Sequence, residues 1–498
     1  MLYFRMFLVM GVSLFTSRIV LRQLGAVDYG IYGVVGGIIA MLSFLNGAMS
    51  NSTVRFLSFA QGREDQARAT RTFRTAIAIH ILLAFIVIAL AETLGLWFLN
   101  HHMTIPADRL SAANWVFQSA VAAFVFSILR TPLNAVVIAR ERMEIFALLS
   151  IIEVVMKLIV ALSLTLILSH KLKVYALLNL ATVIILVLAN LLYCRHCFPE
   201  CRTIRPTFDK EMFRPMAGFM SWSAFGSFSW VARNQGCNIL LNVFLGPTVN
   251  AAYGLSMQVN TAINGFVQNF TTAINPQITK TYSVSDIRQT ERLITYGCKF
   301  SFYLLLILSF PVVMTIEPIL KFWLGNYPAY TPVFTQIVLI ISQIDCFAYC
   351  ISAGIRASGR VKAYEITIGT IHFLSLPIAY LLLRSGAAPQ SVFTAIALLS
   401  FMALFIRLRL LKDCIPEISI SGILRSVFLP AGALAGVCAL LYCGYQHLQL
   451  AQTVSPLLTI AASILIVIAL EAGIGLNARE RKFIRQFLLK PSAKKDAQ

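Results

Sequence analysis

Apolar stretches of about twenty residues, the length a helix needs to cross a bilayer core, follow one another almost without pause along this chain. Lysines and arginines collect in every second gap between them. With the N-terminus taken as cytoplasmic, the second gap holds Arg55, Arg63, Arg68, Arg71 and Arg74, and the fourth holds Arg140 and Arg142. The sixth runs from Arg195 to Arg214, and the eighth holds Lys280, Arg288, Arg292 and Lys299. The tenth holds Arg356, Arg360 and Lys362, the twelfth Arg407, Arg409, Lys412 and Arg425, and the tail adds seven more cations. That places 30 of the 41 cations on one side and 7 on the other, leaving Arg5, Arg130, Lys157 and Arg233. Basic loops stay cytoplasmic, so the alternation sets both orientation and span count.

The spacing predicts an all-α, polytopic membrane protein of about fourteen transmembrane helices. Their limits are near 2–21, 31–53, 75–99, 112–138, 145–168, 174–194, 217–245, 250–275, 299–322, 333–355, 364–384, 390–411, 424–445 and 454–476. An even count puts both termini in the cytoplasm, and the first stretch reads as a retained helix because no small-residue cleavage site follows it. A chain of 498 residues with 58% hydrophobic and 12% charged residues is not a soluble protein. Its net charge of +20 would suggest nucleic acid in a soluble chain. Here the cations lie on separate short loops along one membrane face, where they set topology and meet anionic lipid head groups, so no nucleic-acid partner is expected.

The chain repeats itself weakly. Leu24-Gly25 and Tyr32-Gly33 recur, with the same spacing between them, as Leu245-Gly246 and Tyr253-Gly254. Ala139 and Arg142 recur in nearly the same register as Ala357 and Arg360. The repeat unit is six spans, an even number, so the two copies share one orientation, related by an axis along the membrane normal. The expected organisation is a six-helix lobe over 1–195, a cytoplasmic linker over 196–216, a second six-helix lobe over 217–411, two extra helices over 424–476 and a basic tail over 477–498. Two like-oriented lobes around a cleft suit alternating access.

Polar groups inside the spans are costly and need a reason, about 2.5–3.5 kcal/mol for a central Arg or Lys on insertion scales. Arg130, Lys157 and Arg233 lie inside spans, and Arg18 lies one turn from the outer end of the first, where it either lines a cavity or snorkels. Arg233 has no acid three or four residues away, while Trp230 one turn earlier offers a cation–π contact. Glu153 and Lys157 stand in the favourable i,i+4 order, as a mutual salt bridge or an ion-linked switch. Asp345 is the best candidate for cation coupling among few intramembrane acids. Carboxamides form stripes: Asn234, Asn238 and Asn242 on the seventh span, Asn260, Asn264 and Gln268 on the eighth. They serve either interhelical hydrogen bonds or a hydrated groove, and they suit sugar hydroxyls because they donate and accept without charge.

None of the ten cysteines falls in an external gap, so a disulfide framework is not expected. Cys194, Cys197 and Cys201 with His196 resemble a metal cluster, but the spacing matches no common zinc pattern, and reduced cysteines at a helix end are the simpler reading. No catalytic residue, metal or cofactor is expected. There is no phosphate-cradling P-loop, and no external loop is large enough to house an enzyme site.

Residues 17–38, Ser-Arg-Ile-Val-Leu-Arg-Gln-Leu-Gly-Ala-Val-Asp-Tyr-Gly-Ile-Tyr-Gly-Val-Val-Gly-Gly-Ile, resemble the opening of bacterial polysaccharide-biosynthesis flippases of the multidrug/oligosaccharidyl-lipid/polysaccharide exporter superfamily. Thr53-Val54-Arg55-Phe56, Ala357-Ser358-Gly359-Arg360 and the plan of six, six and two helices are similar as well. The resemblance implies a V-shaped pair of lobes that moves a lipid-linked oligosaccharide, usually on undecaprenyl pyrophosphate, across the inner membrane. Drug and cation antiporters of the superfamily use acids on the first or seventh helix, where this chain has Arg18 and Arg233 and no acid. A cationic cleft repels cationic drugs and attracts pyrophosphate. On that reading Arg18, Arg130 and Arg233 hold the pyrophosphate and the two carboxamide stripes line the sugar path. Glu153, Lys157 or Asp345 couple the motion to an ion gradient. The partners implied are the lipid-linked oligosaccharide, membrane lipids and other polysaccharide-assembly proteins. A cation-coupled multidrug exporter is the alternative.

Overall fold

The computed structural model describes residues 43–101, 109–448 except 168, 204 and 246, 455–477 and 480–481, together with scattered positions between 8 and 32. At 43, 101, 242, 247, 248, 250 and 251 it describes the backbone alone. Arg18 and most of the first predicted span therefore lie outside the described residues, and so does the Asn242 side chain.

The helices in chain order are α1 (Ser43–Gly62), α2 (Gln66–Asn100), α3 (Leu110–Ala139), α4 (Met143–Ser163), α5 (Lys171–Cys197), α6 (Lys210–Leu245) and α7 (Pro247–Ser283). They continue with α8 (Ile287–Met314), the short α9 (Ile316–Leu324), α10 (Thr331–Ser358), α11 (Val361–Arg384), α12 (Gln390–Cys414), α13 (Ile420–His447) and α14 (Pro456–Gly475). The protein is an all-helical, multi-pass membrane protein, and every predicted span from the third onward has its helix.

Ten of these helices are long and apolar enough to cross a membrane; α1, α6 and α7 are not among them. α6 and α7 have 36 and 37 residues, so length is not what they lack. They carry the Asn and Gln stripes. The same three helices form much of the contact between the lobes, with α1 packed on both α6 and α7.

Two expected loops prove to be helix. The segments 54–74 and 276–298 read as long polar connections, yet α1 runs to Gly62 and α7 to Ser283, each followed by a turn of only three residues. Hydropathy marks where the bilayer ends, and helix propensity carries the backbone further. What stops each helix is a left-handed residue followed by an acidic N-cap. Glu64 (φ 56°) precedes Asp65, whose carboxylate accepts from the Arg68 N–H. In the second copy, Ser285 (φ 60°) precedes Asp286, which accepts from the Gln289 N–H. Glu64 and Ser285 stand in the register that relates Leu24 to Leu245. The turns after α3 and α10 also match, with Glu141 (φ 59°) and Gly359 (φ 80°) in the register that relates Ala139 to Ala357. The repeat is therefore written in the turn geometry more plainly than in residue identity.

α13 and α14 pack on α8. A buried cluster including Leu305 of α8, Ile351 of α10, Leu411 of α12 and Leu434 of α13 ties them to the second lobe. Lipid is as apolar as leucine, so close packing rather than apolar burial holds such contacts.

At the turns of the first lobe, Arg140 forks onto the buried Glu200, with Nε to Oε1 at 3.0 Å and Nη2 to Oε2 at 2.8 Å, and Gln66 donates to the same carboxylate at 2.9 Å. Burial pushes the Glu200 carboxyl up, but the Arg140 and Gln66 hydrogen bonds more than reverse that, leaving it below the ordinary value.

Candidate functional site

Two of the cavities among the described helices hold clustered charge. The first, of about 480 Å³, is lined from α1, α3, α4, α7 and α10 and holds Arg55, Arg130 and Arg356 among carboxamides and hydroxyls that include Asn46, Asn134 and Asn275. The second, of about 590 Å³, is lined mainly by α6, α7, α10 and α11 and holds Arg233, Arg356 and Arg407 with Asp345, Glu365 and His372. Gly47 and Arg356 belong to both linings.

In the second cavity Asp345 stands between two guanidinium groups. Arg233 Nη2 lies 3.8 Å from Oδ2 and Arg407 Nη1 lies 3.6 Å from Oδ1. Both arginines are buried, at 8% and 4% exposure. These are ionic separations, too long for hydrogen bonds. Ser400 Oγ donates to Asp345 Oδ2 at 3.3 Å, whereas Asp345 Oδ1, Arg233 Nε, and Arg407 Nε and Nη1 have no hydrogen-bond partner among the described residues. Arg356 pairs with the buried Glu365 at 3.3 Å. At Gly226 of α6 a Cβ would meet the Glu365 carboxylate, with Cδ 2.9 Å away, so only glycine lets α6 approach the acid this closely.

The carboxamide stripes divide. Asn260, Asn264, Asn234 and Gln268 line the second cavity, and Asn238 is not in its lining. Asn260 and Asn264 are already engaged: Ser342 Oγ donates to Asn260 Oδ1 at 2.6 Å, and Asn264 Nδ2 donates to the same oxygen at 2.6 Å and to Ser342 Oγ at 3.0 Å. Part of the stripe is thus helix glue between α7 and α10.

The first lobe has its own ionic group. Arg130 Nη1 donates to Glu153 Oε2 at 3.1 Å, and Lys157 Nζ donates to Oε1 at 2.8 Å. Arg130 and Arg233, expected to share one pyrophosphate site, line different cavities. Arg407, which the loop pattern places among the cytoplasmic charges, is buried in the second cavity wall. The sequence does carry a signal for it, since Arg407 lies inside the 390–411 limits. Arg55 and Arg356, placed with the loop charges by the same pattern, line the first cavity.

Arg55 also joins the lobes. Its Nε donates to the Arg356 carbonyl at 3.2 Å and its Nη2 to the Ala357 carbonyl at 3.0 Å, so α1 supplies the cap for the C-terminus of α10. The opposite contact is ionic, with Lys280 Nζ of α7 on Glu141 Oε1 at 2.6 Å and Gln277 on Oε2 at 3.2 Å. Arg63 Nε donates to the Ser283 carbonyl at 2.8 Å. A Cβ on Gly62 would come 2.6 Å from the Lys280 carbonyl, which keeps α1 against α7.

Of the cysteine group, Cys194 and Cys201 are buried and Cys197 is exposed. Hydrogen bonding with Cys194, then burial, raises the Cys201 thiol, opposite to what a thiolate ligand needs. Among the described residues no group of three His, Cys, Asp or Glu is placed to hold a metal ion.

A model of the family described as polysaccharide biosynthesis protein matches residues 3–282. The chain belongs to that family. It is 20% identical over 320 residues to the uncharacterized membrane protein EpsK of Bacillus subtilis (strain 168), covering 63% of this chain and 62% of that protein. Its fold is that of the MATE transporters of the MOP superfamily. A MATE in complex with MaD3S gives a TM-score of 0.71 at 13% identity, covering 85% of this chain and 96% of the other. An outward-facing multidrug resistance MATE transporter gives 0.70 at 14%, covering 85% and 95%. A MOP superfamily transporter from Pyrococcus furiosus, reported for a reversed polarity of its binding pocket and a suggested different function, gives 0.69 at 12%, covering 85% and 95%.

Proposed function

We propose that this protein is a flippase that carries an anionic lipid-linked oligosaccharide, on undecaprenyl pyrophosphate, across the bacterial inner membrane for cell-surface polysaccharide synthesis. The observation that supports this most is the charge of the cavity walls. Among the described residues the two linings hold five arginines, Arg55, Arg130, Arg233, Arg356 and Arg407, against two acids, Asp345 and Glu365, both already paired. Such a surface favours an anion and repels a cation. Asn234 and Gln268 add uncharged donors and acceptors suited to sugar hydroxyls.

Transport runs by alternating access of the two lobes. By the positive-inside rule the turns at 63–65, 140–142, 284–286 and 359–360 face the cytoplasm. The Arg55 cap and the Glu141–Lys280 pair then form a cytoplasmic latch, and the lobes separate there to admit substrate from the inner leaflet. Membrane lipids and other polysaccharide-assembly proteins are its natural partners, and both termini lie in the cytoplasm. The test is glycan export in cells: Arg233→Ala and Arg407→Ala abolish it while the protein still reaches the membrane.

A cation-coupled multidrug exporter is the second reading, favoured by Asp345 and Glu365 lying in a cavity of a fold shared with multidrug MATE transporters. Two paired acids leave little negative charge for a cationic drug. Dye efflux lost in Asp345→Asn, with glycan export intact in Arg233→Ala, would favour that reading.

A further inference from the structure

We propose that Asp345 is an exchangeable internal anion: it occupies Arg233 and Arg407 in the empty carrier and is displaced by an oxyanion of the substrate. This rests on the reading of the second cavity as an anion site. A buried guanidinium needs a counter-charge, and two of them share one carboxylate here. That leaves the group one positive charge in excess. The carboxylate is also loosely held, at 3.6 and 3.8 Å, with guanidinium N–H groups on both arginines left without a hydrogen-bond partner. An incoming phosphate or carboxylate can take the short, charge-assisted hydrogen bonds that Asp345 does not make. The Glu153 carboxylate in the first lobe already receives such bonds from both its partners, at 3.1 and 2.8 Å, although Arg130 Nε there also has no hydrogen-bond partner among the described residues.

The place of Asp345 gives the exchange a consequence. It is the last residue of the Thr331–Asp345 half of α10, next to Cys346, where the two halves meet with backbone angles still helical (φ −62°, ψ −30°). The other half, Phe347–Ser358, ends on the Arg356 and Ala357 carbonyls that Arg55 grips from the first lobe. Moving Asp345 acts on the junction of the two halves, and the second half carries the latch. Ligand binding at Arg233 and Arg407 is thereby linked to lobe separation through one helix.

The test uses the purified full-length protein in nanodiscs, titrated with inorganic pyrophosphate and separately with glucuronate. Binding is read by calorimetry, and hydrogen exchange is followed over residues 343–349. Because Asp345 competes with the ligand, Asp345→Asn binds about tenfold tighter than the unmodified protein, a step of one decade in affinity. Ser400→Ala, which only loosens Asp345 and keeps the charge balance, binds about two- to threefold tighter, less than that decade. Arg233→Ala and Arg407→Ala do not bind. Exchange over 343–349 rises on adding the anion and is already high in ligand-free Asp345→Asn. A preference for pyrophosphate assigns the exchange to the lipid-carrier end, and a preference for glucuronate to an acidic sugar. Binding lost in Arg233→Ala but no tighter in Ser400→Ala and Asp345→Asn overturns the exchange and leaves the anion site standing. Binding indifferent to both arginine substitutions, or absent from the unmodified protein and Ser400→Ala alike, overturns both.

Discussion

Each lobe places one carboxylate between two cations, and the two groups are built differently. In the first lobe Arg130 and Lys157 hold Glu153 with direct hydrogen bonds, and the Lys157 side chain is 48% exposed. In the second, Arg233 and Arg407 are buried and face Asp345 across gaps too wide for hydrogen bonds. A directly hydrogen-bonded carboxylate can hold helices together, whereas one held only across ionic gaps leaves its buried guanidinium partners open to a competing anion. On the proposed reading the same composition serves structure in one lobe and binding in the other.

The largest effects should separate the two groups by transport. Arg233→Ala or Arg407→Ala should lower glycan export more than tenfold, because each removes a buried cation and charge-assisted donor from the proposed anion site. Lys157→Ala should lower it less than about threefold, since Arg130 still holds Glu153 when Lys157 is gone. Equal losses in quantified surface glycan would erase the distinction. Stability should follow the same order. Asp345→Ala should cost about 3 kcal/mol by leaving two buried cations unbalanced. Glu153→Ala should cost less, because the long Lys157 side chain, 48% exposed, can snorkel toward the interface, whereas Arg233 and Arg407 are enclosed. Thermal unfolding of the purified variants checks the order, and a reversed order would break the comparison.

The latch contrasts the lobes on a smaller scale. The second lobe offers backbone carbonyls beside Gly359, while the first keeps Glu141 in a left-handed conformation that costs a non-glycine residue about 1 kcal/mol. Glu141→Gly should relieve that cost yet remove the Lys280 pair, so stability stays within about 1 kcal/mol while the lobes part more readily. Arg55→Ala, which deletes two hydrogen bonds, should part them further. Distances between labels at Glu64 and Ser285 read both, and unchanged distances would show that the latch does not hold the lobes.

The smallest effect concerns acid. Glu200 is held below its ordinary pKa, so its contribution is present above the unfolded carboxyl value, about 4.3, and is lost as pH falls through the lower folded value. Glu200→Gln should flatten the acid side of a stability–pH curve and leave its slope near neutrality unchanged. A slope change near pH 7 instead would contradict the assignment.

The helices from the third predicted span onward, and most of their limits, are legible in the sequence because hydropathy and loop charge follow directly from the bilayer. The long extensions of α1 and α7 are not, since nothing about lipid tells a polar helix from a polar loop. The partners of Arg233 are hidden for another reason. Intrahelical spacing compares residues one turn apart, and Asp345 and Arg407 stand on other helices. Arg55 and the Ala357–Arg360 stretch both stand out by family resemblance, but only the fold shows that one caps the other.

The most direct test is leaflet transfer of a fluorescent undecaprenyl-pyrophosphate glycan in liposomes that contain this protein and no other. The proposed mechanism requires transfer by the unmodified protein and none by an Arg233→Ala, Arg407→Ala double variant that still inserts and folds. Transfer by the double variant at the unmodified rate would contradict it.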